Sequence, residues 1–287
     1  MSVDVKQAQD QTAPLAHLAH VEDEVPVAAP RSNGWLVPLV QIGIFIVFIG
    51  AWEIAARFYV KEIFLPAPSR ILSALPENTE GIMQHTWITV SEAVLGFFIG
   101  GITGFCTGLL LGRSYLADRV VAPYFNALYS IPKIALAPLF MLWFGIGISS
   151  KVALAALLVF FLMHFSMYSG VRNMDDRLLR MVQIMGGSRW HVFRYAIVPS
   201  ALPWVISGIR VSFPYAFIGA ITGEFIASNR GLGYMITWFQ GTFETRNMFA
   251  YLLVLVVMVS MVNWGLGRLE AHLMRWKQTD SRGGPGL

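Results

Sequence analysis

The chain has 287 residues, 55% of them hydrophobic and only 13% charged, with a formal net charge of +4. Soluble domains are about one-quarter charged, so this deficit and a mean hydropathy of +0.57 exclude an ordinary soluble fold. The single cysteine, Cys106, excludes an intrachain disulfide, and the pI near 9.3 comes with no motif for binding nucleic acid.

Residues 1–33 are polar, with an acidic patch at Glu22, Asp23 and Glu24. They lack a basic segment followed by a short apolar core and cleavage site, so they read as a flexible cytoplasmic tail rather than a signal peptide. Crossing a bilayer takes roughly 20 apolar residues. Ser32–Trp52, Ala93–Gly112, Val152–Val171 and Asn247–Gly267 are free of Asp, Glu, Lys and Arg for 20 or 21 residues each. With two less regular runs, the pattern predicts an all-α membrane protein with six spans, at 35–58, 89–111, 123–145, 152–171, 204–226 and 248–269. The transmembrane domain is then 34–275, followed by a flexible tail at 276–287.

The second span carries glycine at every fourth position: Gly96, Gly100, Gly104, Gly108 and Gly112. That spacing makes a shallow spiral groove, which in lipid predicts close helix packing within one chain or between two. The third span, "SIPKIALAPLFMLWFGIG", holds Lys133 between Pro132 and Pro138. Proline breaks the helical ladder, so this span is kinked or starts after Pro132. It is either a bent structural helix or a segment lining or gating a pathway.

Between the fourth and fifth spans comes a basic, turn-rich insert, 172–203, containing "RMVQIMGGSRWHVFRYAIVPSALP". Asp175–Gln183 can form a short helix that Gly186 and Gly187 break. Ser188 is a good N-cap for a second helix that stops before Pro199. Trp190, Phe193 and Ile197 share one face of it, flanked by Arg189 and Arg194. Such an element docks on a lipid surface or in a groove on another protein. The fifth span contains Arg210 and, near its far end, Glu224. Ionisable groups there face a cavity or a partner, so Glu224 holds the adjoining loop, lines the pathway, or is simply exposed at the interface. Lys133, Glu53 and Glu92 lie nearer span ends, where snorkelling is expected.

With the N-terminus inside, thirteen Lys and Arg fall on the cytoplasmic pieces. Six fall outside: Arg57, Lys61, Arg70, Lys151, Arg230 and Arg246. The asymmetry puts both termini and the basic insert in the cytoplasm. The chain has no phosphate-binding G-x-x-x-x-G-K-[ST] loop, no H-E-x-x-H or other paired metal-ligand spacing, and no G-x-S-x-G elbow. Its energy must come from a gradient or from another subunit.

"GGSRWHVFRYAIVPSALPWVISGIRVSF" resembles the cytoplasmic "EAA" loop of the permease subunits of bacterial ABC importers. "SIPKIALAPLFMLWFGIGISSKVAL" and "GEFIASNRGLGYMI" are similar to the subgroup importing nitrate, alkanesulfonates and taurine. The resemblance covers roughly residues 60–275. The loop's glycine falls on Gly186 and its proline on Pro199. Arg180, Met181 and Val182 stand where the pattern has E-A-A, Ala196 replaces its Ile and Val198 its Leu.

The resemblance implies a type I ABC importer permease fold with a cytoplasmic coupling helix at about 186–197. Gly186, Gly187, Ser188, Arg189, Trp190, His191, Phe193, Arg194 and Pro199 would then meet a partner ATPase. It further implies a dimer of ATPase subunits that bind ATP and Mg, and a second permease copy, identical in a homodimer. A periplasmic or lipid-anchored solute-binding protein, a bacterial inner-membrane location and a small anionic solute complete the picture. This chain itself would bind no cofactor or metal and catalyse nothing. A gradient-driven secondary transporter is the alternative. It needs intramembrane carboxylates or broken helices in two matching repeats, and only Glu224 qualifies.

Overall fold

The computed structural model describes residues 35–174 and 176–274. Both expected tails, 1–33 and 276–287, lie outside the described residues. In chain order the helices are α1 (Leu36–Phe58), α2 (Pro68–Glu77), α3 (Thr79–Arg113), α4 (Tyr115–Ser130) and α5 (Ala137–Phe144). They continue as α6 (Ile148–Arg172), α7 (Asp176–Ile184), α8 (Arg189–Val192), α9 (Val198–Ile226), α10 (Leu232–Gly241) and α11 (Thr245–Leu273). A 3₁₀ turn, Lys133–Leu136, precedes α5, and a wide π turn, Phe193–Ile197, joins α8 to α9. Five helices are long and apolar enough to cross a membrane, and α4 with α5 makes a sixth if that pair, bent by 82°, is one span.

The chain divides into two units, Met1–Gly50 and Ala51–Leu287. The described part of the first is the apolar, largely exposed start of α1. The second is built around α6, whose most apolar stretch is more than half buried. The glycine stripe of α3 lies on α6. A methyl group at Gly96 would strike Ala155, one at Gly100 the Ala156 carbonyl, and one at Gly104 the Phe160 carbonyl. At Gly108 it would come within 2.5 Å of the His164 carbonyl, and at Gly112 within 2.8 Å of Val171 Cβ. Lipid tails are as apolar as the side chains, so helices associate in a membrane through such close contact rather than through water exclusion.

Helix α9 packs on α6 in the same way, beside α3. A Cβ on Gly219 would lie 2.5 Å from Ala155 Cα, and one on Gly208 2.8 Å from Ser166 Cβ. On α6 itself, one at Gly170 would lie 2.7 Å from Trp204 Cβ. Ala93, Phe97, Val159, Ala216, Phe217 and Ala220 fill the space where the three helices converge. Pro203 and Pro214 lie inside α9. An interior proline costs roughly 3 kcal/mol in a water-exposed helix, and packed neighbours make it tolerable in a membrane.

Two boundaries differ from expectation. Helix α3 starts ten residues before the expected span at 89–111, at Thr79, and at 35 residues is about 52 Å long. Among the polar residues of its early turns, His85 meets other protein, accepting the Gly231 N–H at 3.0 Å. The second difference concerns Pro199, which does not stop the helix before it. Residues Arg189–Ile226 form one helical run of 38 residues, with Pro199 in the first turn of α9, where its missing N–H costs least.

Gly100→Ile should overpack the α3–α6 seam and destabilise the protein by roughly 1–3 kcal/mol or more. Gly101→Ala is the control, since a methyl there meets only Val159 at 3.9 Å. Thermal melting of the two purified variants in detergent checks this, with a drop expected for the first alone.

Candidate functional site

Polar side chains concentrate at the two ends of the bundle. At one end, where α3 and α6 begin and α9 finishes, Glu224 points inward and is 1% exposed. Thr89 on α3 donates to its Oε1 across 2.7 Å, and the Gly233 N–H donates to its Oε2 across 2.7 Å. Thr89 also accepts the Leu232 N–H at 2.9 Å, and His85 Nδ1 accepts the Gly231 N–H at 3.0 Å. The first turn of α10 is therefore capped by side chains from α9 and α3, which satisfy N–H groups that a helix start leaves unpaired. Gly231 has φ +104°, and a Cβ there would collide with the Glu224 carboxylate. Glu224 is thus buried and bonded to the loop that follows its own helix, not exposed at an interface.

Beside it lie two residues the sequence reading placed elsewhere. Lys151 is not an outer-loop charge and Glu92 does not snorkel. Both are at most 2% exposed, and Lys151 Nζ stands 3.6 Å from Glu92 Oε1. The signal available in the sequence was parity: a carboxylate near each of two span ends and a lysine near a third, all toward one end of a bundle whose lipid-facing positions tolerate no charge.

The other pathway candidates separate. Arg210 pairs with Glu270 of α11 at 2.5 Å, so its charge is already answered within the chain. Pro132 forms the break after α4 and Pro138 sits in the first turn of α5. Lys133 donates to the Tyr129 carbonyl at 2.7 Å and lies over the rings of Tyr129 and Phe161, 4.1 and 4.9 Å from their centres. Pro132 and Lys133 line an open groove with Leu158 and Leu162 of α6 and Tyr215 of α9. Glu53, rather than reaching freely to water, binds Arg57 and the Ser69 backbone and hydroxyl.

At the opposite end, α7 turns into α8 through Gly186, whose φ of +79° favours glycine. The Gly187 N–H returns to the Val182 carbonyl at 2.9 Å, and a Cβ on Gly187 would lie 2.6 Å from that oxygen. Ser188 caps α8 in a reciprocal box, its hydroxyl 2.7 Å from His191 Nδ1. Trp190 stacks on Phe193 at 5.6 Å. Ala196 and Ile197 are buried and anchor the segment, while Trp190 and Tyr195 stay more than 60% exposed beside exposed Arg189 and Arg194. Ile184 and Met185 are exposed as well. The segment thus presents exposed aromatics among arginines while Ala196 and Ile197 fix it from beneath.

Residues 96–276 match the family described as binding-protein-dependent transport system inner membrane component. The chain belongs to that family. It is 32% identical over 235 residues to the formylaminopyrimidine transport permease protein of Halalkalibacterium halodurans, covering 82% of this chain and 94% of that one. It is 28% identical over 259 residues to the taurine transport system permease protein of Escherichia coli, covering 86% and 94%. Its fold matches the inward-facing methionine ABC transporter with a TM-score of 0.57 at 19% identity, over 68% of this chain and 94% of that chain. The protein is thus the permease subunit of an ABC importer, a multi-pass protein of the bacterial inner membrane. It works with a solute-binding protein and with a separate ATPase subunit, and is not itself an enzyme.

Thr89→Val keeps the side-chain shape but removes both the acceptor for Leu232 and the donor to Glu224. It should destabilise the protein by roughly 1–3 kcal/mol, the cost of leaving buried groups unpaired. Thr89→Ser should not, and melting temperatures of the two variants check the difference.

Proposed function

We propose that this permease pairs with a second copy of itself and imports a small anionic organic solute of the sulfonate or taurine type. Both termini and the Gly186 loop face the cytoplasm. There each copy seats residues 186–197 in a groove of one ATPase subunit. ATP and Mg²⁺ bind on the ATPase dimer, whose closure draws the two segments together and turns the bundle outward. A periplasmic or lipid-anchored binding protein then delivers solute at the Glu224 end, and hydrolysis resets the bundle.

The observation that carries the docking role is the rigid mounting of Trp190 and Phe193. A capped turn, a left-handed glycine and two buried residues hold an aromatic pair out of the bundle. The lysines and arginines concentrated around that loop support the orientation. The solute class is supported by the resemblance of "GEFIASNRGLGYMI" to the sulfonate-importing subgroup and by the likeness to the taurine permease.

Gly186→Asp should abolish solute uptake while membrane insertion and protein level persist, because the left-handed turn sets the direction of α8. Uptake by intact cells with immunoblotting of membranes checks it. Normal uptake at normal level would overturn the docking role.

For the solute, radiolabelled taurine and ethanesulfonate should enter cells carrying the importer, with accumulation lost when the permease is deleted. No accumulation of either would overturn the solute assignment and leave the permease function untouched.

A further inference from the structure

Arg210 of α9 is paired with Glu270, and the buried Lys151 of α6 stands 3.6 Å from Glu92. Lys133, in the turn between α4 and α5, differs from both. Among the described residues it has no carboxylate within 4 Å. A lysine head group carries three donors, and the Tyr129 carbonyl takes one at 2.7 Å. The rings of Tyr129 and Phe161 lie beneath the same group. These contacts hold the head group in place and leave its charge without an anion.

Depth decides what can answer that charge. Phe161 stands eleven residues from the Arg172 end of α6 and thirteen from the Ile148 end. At 1.5 Å per residue the two ends are roughly 16–20 Å away. A four-carbon lysine stem spans neither distance, so Lys133 does not snorkel to a lipid headgroup. The backbone beside it is broken: α4 and α5 meet at 82°, and Ser130, Ile131 and Pro132 at the break are exposed. Lipid satisfies no N–H or C=O, so irregular backbone at membrane depth persists only inside protein or against a watery cavity. An exposed break beside an unanswered cation fits the second case.

The open groove at this break measures about 390 Å³, within the roughly 300–1,000 Å³ of small-molecule sites. Leu158 and Leu162 of α6 supply an apolar wall. Tyr129 and Ser130 of α4 and Tyr215 of α9 supply hydroxyl-bearing side chains, and Lys133 supplies the charge. That layout suits a small molecule with one anionic end and a short hydrocarbon body.

We propose that this groove is a solute subsite inside the permease, and that Lys133 contacts the anionic group of the solute in passage. The inference rests on the reading of the solute as a small organic anion. A sulfonate oxygen accepts from Lys133 while the carbon chain lies along Leu158 and Leu162. A single lysine, already held by a carbonyl and two rings, attracts the anion without trapping it, as passage requires.

A thiol placed in the groove reads this charge whatever the native solute is. Ile134 lines the groove and is half exposed. Ile134→Cys is combined with Cys106→Ala, which removes the single native cysteine. The full importer complex is held in lipid nanodiscs, with and without ATP. Two methanethiosulfonate reagents of similar size are compared, one ending in a sulfonate and one in a trimethylammonium. Each rate is divided by that of the same reagent with a free small thiol. The sulfonate reagent should then be favoured roughly tenfold or more, a modest share of the pull of one charge at a few ångströms near a protein surface. Lys133→Gln should abolish the preference, and Lys133→Arg should keep it. Equal rates with Lys133 present overturn the proposal. So does no reaction with either reagent in either state, which puts the groove against lipid or a partner helix. Uptake of radiolabelled ethanesulfonate should fall with Lys133→Gln and return with Lys133→Arg, and undiminished uptake by Lys133→Gln overturns the role of Lys133. Where the native importer takes up neither ethanesulfonate nor taurine, the solute assignment fails, and the labelling rates still decide whether the groove receives an organic anion at Lys133.

Discussion

Ala155 touches glycine on two sides, Gly96 of α3 and Gly219 of α9. That double contact repeats along α6 and sets the positions of the other helices. Backbones that approach this closely leave no freedom to slide or rotate, since a shift of one residue brings Cβ atoms where only hydrogen fits. The register of three helices is thereby set by backbone packing along the seam, to which Thr107 and His164 add one polar contact at 3.0 Å between α3 and α6. Phe97, Phe217 and Val159 fill the remaining volume once that register is set.

The charged end of the bundle depends on this seam. Gly223, one residue before Glu224, lies against the stem of Lys151, and Ala93, one residue after Glu92, packs into the α3–α6–α9 core. The three ionisable groups are therefore placed opposite one another by packing, not by mutual attraction. Burying them is costly, and what offsets the cost is the number of donors that converge on Glu224 from Thr89 and the start of α10. The corner they build closes the Glu224 end and starts α10, which in turn packs Leu232 and Phe239 against Tyr251 of α11.

Much of this was legible in the sequence. The apolar runs announce the long helices because lipid demands about 20 apolar residues per crossing. The stripe from Gly96 to Gly112 announces a close neighbour, and Gly186 with Ser188 announces a turn and a cap. What was not legible depends on three-dimensional register. Lys151 and Glu92 look like residues at span ends, and only the offset between α3 and α6 buries them against each other. The early start of α3 was hidden because its first turns contact protein and need not be apolar. Pro199 looked like a terminator because proline cannot continue a hydrogen-bond ladder. The wide turn at Phe193–Ile197 lets the helix pass into the residues where a proline does no harm.

That passage makes Arg189–Ile226 a single helical run with Trp190 near one end and Glu224 near the other. At 1.5 Å per residue the two are about 51 Å apart. The two ends of the subunit therefore share one continuous backbone element, interrupted in its regular winding by the wide turn at Phe193–Ile197 and bearing two interior prolines, Pro203 and Pro214.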